Sequence, residues 1–152
     1  RPIDTEPLRS KLGSCEKVAA MARNKGKGEG FMMLKHRLMD SAAYVKLSLT
    51  ARALLTEMVR VATPERNGQL VFPMDYAEKR LGVCANTLRP AFVQLEAHGF
   101  IVITGLFRYT DGKAYEYRVT CQPVGRKLPT NEWERWTEEA PFPVNRRGGG
   151  KK

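Results

Sequence analysis

Residues 73–104 read PMDYAEKRLGVCANTLRPAFVQLEAHGFIVIT, and the punctuation of this stretch decides the fold. Pro73 suits the first turn of a helix, where a missing N–H costs nothing. A short helix is therefore expected over residues 74–81, ended by Gly82, which tolerates the left-handed backbone of a helix C-terminus. After the tight turn Gly82-Val83-Cys84 a further helix is expected to run to Ala97, with Leu88, Ala91, Phe92 and Leu95 on its apolar face. Pro90 bears on where that helix begins. A start at Cys84 puts Pro90 in the helix interior, at a cost of about 3 kcal/mol. With Asn86 as the N-cap, Pro90 falls in the tolerant first turn, and this later start is the expectation. Gly99 closes the helix, and residues 100–104 are apolar enough for a strand.

Upstream, Leu47, Ala51, Leu54, Leu55, Met58 and Ala62 recur at helical spacing. Ser48 is the expected N-cap, and Pro64 with Asn67-Gly68 closes the segment. Residues 69–72 read as a small strand. Downstream, residues 105–114 are expected to form a loop containing Asp111-Gly112, and residues 115–120, rich in β-formers, the returning strand. Thr130 is expected to cap a short helix whose Trp133 and Trp136 cover the domain's own core.

Helix, short strand, short helix, tight turn, helix, strand, loop and strand together predict an α+β winged helix-turn-helix: a three-helix core with a β-hairpin wing. The organisation expected is a flexible N-terminal segment (1–30), the winged domain (31–123), an extension with a short helix (124–140) and a disordered basic tail (141–152). Met21 is an alternative translation start, which would make residues 1–20 extraneous. The Gly-Lys run at residues 25–28 lacks the preceding strand and the Gly-Lys-Ser/Thr ending of a phosphate-binding loop.

The 152 residues carry 26 Lys and Arg against 16 Asp and Glu, a formal charge of +10. A polyanion is the natural partner, because each phosphate neutralised releases counterions. Cys15, Cys84 and Cys121 are odd in number and fit no zinc spacing, so a reducing, cytoplasmic setting is expected. No apolar run approaches bilayer length, and residues 1–20 lack a hydrophobic segment followed by a small-residue cleavage site. His36 and His98 have no partner at ligand spacing. Asp75, Glu78 and Asp111 form no acid–base cluster, and no serine sits in a nucleophile elbow. No enzyme, metal, cofactor or small-molecule ligand is expected.

The expected DNA-contacting residues follow from the helix after the turn. Asn86, Thr87, Arg89 and Val93 lie off its apolar stripe, where Arg suits guanine and Asn suits adenine. Capping by Asn86 and Thr87 is the competing use of those two side chains. Arg108, Tyr109 and Lys113 on the wing read as phosphate contacts. Lys79 and Arg80 suit either the DNA backbone or the dipole at the end of their own helix.

The segments Leu81-Gly82-Val83-Cys84-Ala85-Asn86-Thr87 and Leu95-Glu96-Ala97-His98-Gly99-Phe100-Ile101 resemble the recognition-helix region of many bacterial winged-helix regulators. Phe31-Met32-Met33-Leu34, Ser41-Ala42-Ala43-Tyr44, Leu47-Ser48-Leu49-Thr50-Ala51-Arg52-Ala53-Leu54-Leu55 and Asn67-Gly68 resemble more closely a family of short proteobacterial and prophage helix-turn-helix proteins. Leu128-Pro129-Thr130-Asn131-Glu132-Trp133 extends that likeness, which spans about residues 31–136 and includes kinship to replication-initiator winged helices. Pro90 departs from it, standing where the family tends to place a polar helix former. The resemblance implies a phage- or plasmid-type transcriptional regulator or replication-initiator-like factor that binds double-stranded DNA. A winged helix used only as a protein-interaction module is the alternative, and the homodimer state is open.

Overall fold

The computed structural model describes residues 30–109 and 112–145, with the main chain alone at Arg108, Tyr109 and Gly112. Expectations for residues 1–29, including Cys15 and Met21, for Asp111 and for residues 146–152 lie outside the described residues. The chain divides into Arg1–Phe31 and Met32–Lys152, and every element among the described residues belongs to the second unit.

Two short helices come first, α1 (His36–Met39) and α2 (Ala42–Val45), the latter capped by Ser41 Oγ accepting the Tyr44 N–H at 3.2 Å. The stripe foreseen in the sequence forms α3 (Leu49–Val61), and Ser48 Oγ caps it by accepting the Ala51 N–H at 3.2 Å. Then follow β1 (Leu70–Val71), α4 (Met74–Leu81), α5 (Ala85–Ala97), β2 (Ile101–Tyr109) and β3 (Gly112–Val119), and a 3-10 turn at Glu132–Arg135. The architecture among the described residues is α+β, with five helices and one antiparallel sheet in the order β1-β3-β2. Leu54, Met58, Leu88, Phe92, Leu95, Tyr117 and Val119 are fully or almost fully buried between the helices and the sheet. Each such side chain contributes roughly 1.5–3 kcal/mol. Ala77 of α4 is also fully buried, its small side chain letting α4 lie close to its neighbours.

Four expectations are corrected. First, α5 begins at Ala85 with Cys84 as its N-cap, so Asn86 is not the cap and Pro90 lies inside the helix. The reason is tertiary: Glu78 of α4 reaches across the turn, and its Oε1 accepts the Ala85 N–H at 2.6 Å. An orphan donor of the helix start is thus satisfied from another helix. Pro90 has no N–H, so the Asn86 carbonyl lacks its usual partner one turn on.

Second, the hairpin is longer than expected, because residues 105–109 and 112–114 are strand rather than loop. Gly105 marks a β-bulge, not an end: the register steps from Ile103↔Tyr117 to Gly105↔Glu116 and leaves Thr104 extra. A Cβ on Gly105 would sit 2.5 Å from Glu116 Oε2, so the Glu116 carboxylate lies directly over the glycine and would have to swing aside for any larger residue.

Third, Thr130 caps no helix. Its hydroxyl accepts from Arg118 Nη1 at 2.6 Å, and Asn131, with φ of 47°, precedes the 3-10 turn. Fourth, the chain from residue 141 is held as far as Asn145. The Phe142 N–H donates to Ala97 O and the Asn145 N–H to Glu96 Oε1, each at 2.8 Å.

The tryptophans do cover the domain's own core. Trp133 stacks on Phe100 with ring centroids 6.1 Å apart, and Trp136 stacks on His98 at 4.2 Å. His98 is buried, its Nδ1 2.7 Å from Ala43 O, while His36 is exposed. Where β1 gives out, the buried Asn67 side chain continues its pairing with β3. Its Oδ1 accepts the Val119 N–H at 2.7 Å, and its Nδ2 donates to the carbonyls of Val119, Gln122 and Pro123 at 2.9–3.1 Å. Among the described residues no helix is long and apolar enough to cross a membrane.

Candidate nucleic-acid interface

Helical periodicity places Asn86, Arg89, Pro90 and Val93 on one face of α5, opposite the buried Leu88, Ala91, Phe92 and Leu95. All four are exposed, as is Thr87 beside them. The stripe anchors the helix to α3 and the sheet, so the outward face is presented rigidly. Arg89 Nη1 donates to Asn86 Oδ1 at 3.0 Å. The two polar side chains expected to contact DNA are therefore brought together, and the guanidinium is steered along the helix surface.

Cys84, which sequence reasoning placed only in the turn, is exposed at the head of this face. Its Sγ lies 3.5 Å from Thr87 Oγ1. That hydroxyl, with backbone N–H groups of the helix start, holds the thiol pKa below its ordinary value. Cys121 contrasts with it: burial pushes its pKa up to about 11.

The flank of α5 opens onto a shallow groove shared with the start of α3. Gln94 ties the two elements together, accepting the Ser48 N–H at 3.0 Å and donating to Lys46 O at 3.4 Å. Ser48, Thr50, Thr87, Pro90 and Val93 line this groove. Ser48 and Thr50 had no place in the expected site, since only the packing of α3 on α5 brings them there.

The basic residues of α4 divide. Lys79 is exposed. Arg80 instead forks onto Glu57 of α3, through Nε at 2.9 Å and Nη2 at 3.0 Å. Arg60 joins the same carboxylate at 3.2 Å and reaches Tyr76 Oη at 3.1 Å. These cations lower the Glu57 pKa, the Arg80 bond contributing most, against the opposing effect of burial. Arg80 is thus part of the brace between α3 and α4, and a phosphate contact would require it to leave Glu57.

At the far end of the hairpin, Arg108 pairs in register with Lys113, and Tyr109 with Gly112. Lys113 is exposed. Leu106 and Phe107 are exposed further down the hairpin. Among the described residues, no three His, Cys, Asp or Glu side chains gather as a metal ion would require. Comparison with family models, with curated proteins and with solved structures gave no match.

Proposed function

We propose that this chain is a winged helix-turn-helix protein that binds double-stranded DNA sequence-specifically, with α5 in the major groove and the β2–β3 hairpin as the wing. The observation that carries the reading is the outward face of α5. It is a rigidly anchored helix of 13 residues, led by a braced tight turn, with Asn86, Thr87 and Arg89 exposed near its N-terminal end. That is the end of a recognition helix that meets base edges. The sheet order β1-β3-β2, with β1 inserted before α4, supports the winged layout. The charge of +10, with Arg108 and Lys113 in register near the hairpin end, suits a phosphate backbone. A phage- or plasmid-type regulator or replication-initiator-like role in bacteria rests on the family resemblance alone, and a cytoplasmic setting on the cysteine usage.

Titration of duplex DNA by gel shift at several salt concentrations tests this reading. Affinity should fall steeply on a log–log plot, with a slope near −0.9 for each phosphate neutralised. Arg89→Ala should cost about 1–3 kcal/mol on a selected site and much less on random duplex. Exposed Leu106 and Phe107 favour a second reading, in which the hairpin docks a protein. A slope near zero on every duplex would support that reading against DNA.

A further inference from the structure

The outward face of α5 changes character along its length. Asn86, Thr87 and Arg89 are polar, but the next exposed residues, Pro90 and Val93, are apolar. Val93 is 37% exposed although it sits in the interior of a well-anchored helix. The shallow groove they line presents mostly apolar surface, with Thr50 and Thr87 at its edge. The groove is small for a protein partner, since a stable interface buries about 800 Å² on each side. The net charge of +10 also opposes a second copy and favours a polyanion. In the major groove the one apolar group a base pair offers is the 5-methyl of thymine.

Resting on the DNA-binding reading above, we infer that Pro90 and Val93 form a methyl-reading patch that packs on a thymine 5-methyl group beside the base pair contacted by Arg89. Val93 lies four residues beyond Arg89, about 6 Å along the axis at 1.5 Å per residue. With base pairs stacked about 3.4 Å apart, the methyl belongs within about two base pairs of the Arg89 contact. Proline and valine suit the task, because neither loses much side-chain freedom on contact. The site is then bipartite, with hydrogen-bonded readout by the first half of the face and a purely apolar readout by the second.

The test replaces thymine with deoxyuridine, which removes the methyl and leaves every hydrogen-bonding group in place. Duplexes bound by the full chain are selected from a random library, and each thymine near the base pair sensitive to Arg89→Ala is changed in turn. One position should show an affinity loss of about fourfold, the value of one buried methyl group. Val93→Ala, a change that favours the helix, should narrow the preference for thymine over deoxyuridine, with Pro90 still contributing. Arg89→Ala should keep the preference for thymine while losing its own base. Equal binding of both duplexes at every position, or a consensus with no thymine within about three base pairs of the Arg89 contact, would overturn the patch and leave the DNA-binding reading standing. A preference for thymine that is undiminished in Val93→Ala would overturn it too. Failure to retain any duplex would overturn both.

Discussion

Asn67 holds the end of β3 in place, and its replacement by alanine gives a quantitative expectation. The side chain satisfies both the N–H and the C=O of Val119, a residue with 0% exposure, and two further carbonyls besides. Leaving a buried polar group unsatisfied costs about 1–3 kcal/mol. The Val119 N–H is then orphaned, and three carbonyls lose a donor, Val119 O keeping only the Gln122 N–H at 3.3 Å, so Asn67→Ala should destabilise by about 3 kcal/mol. That is a large share of the roughly 5–15 kcal/mol typical of a whole domain. In urea, followed by circular dichroism, the midpoint should fall by about 2 M for a slope of about 1.5 kcal/mol per M. Asn67→Asp is the sharper companion, because it keeps the acceptor for Val119 N–H and turns an oxygen toward three carbonyls. It should be at least as damaging as alanine at pH 7 and recover in part when acid protonates it. A loss below about 1 kcal/mol for alanine, or wild-type stability for the aspartate at pH 7, would refute the reasoning.

Pro90→Ala should stabilise the protein by about 2 kcal/mol, the helix-interior penalty of about 3 less the unfolded-state restriction that proline supplies. The melting temperature should rise by about 6–10 °C; no change would mean that Pro90 sits in a first turn after all. Glu57→Gln tests the brace between α3 and α4. Because its cationic neighbours lower the Glu57 pKa, its stabilisation is present above the ordinary carboxylate value of 4.5 and is lost as pH falls through the lower folded value. The stability gap between wild type and Glu57→Gln should therefore be open at pH 7 and close in acid, and a gap independent of pH would contradict the ion pair.

What was legible in the sequence was local. The stripe from Leu47 to Ala62 and the Ser48 cap could be read because periodicity and capping act within one or two turns. Gly82, with φ of 67°, closes α4 as its position suggested. Misreadings arose where a distant group decided. A local rule weighs Pro90 against the nearest available cap, and Asn86 was at hand, but the carboxylate that satisfies the helix start belongs to Glu78 on another helix. Gly105 resembles a strand end until Glu116 is seen lying over it from the partner strand. Helices α1 and α2, four residues each, are too short to show a period. In the candidate site, Arg89 and Asn86 were legible from their place off the stripe. The commitment of Arg80 to Glu57 was not, since 23 residues separate them in sequence.

The surface proposed to meet DNA has a built-in reporter. Cys84 is exposed at the head of the α5 face and has a lowered thiol pKa, whereas Cys121 is half-buried, with a thiol whose desolvation raises its pKa to about 11. Near pH 7.5 a neutral alkylating reagent should label Cys84 quickly and Cys121 slowly, as thiolate fraction and access dictate, with each cysteine peptide read by mass spectrometry. Saturating selected duplex should slow the labelling of Cys84 by about tenfold or more, because a helix start seated in the groove is closed to reagent, and leave Cys121 unchanged. Labelling of Cys84 at the same rate with and without bound duplex would contradict the central claim that α5 enters the groove.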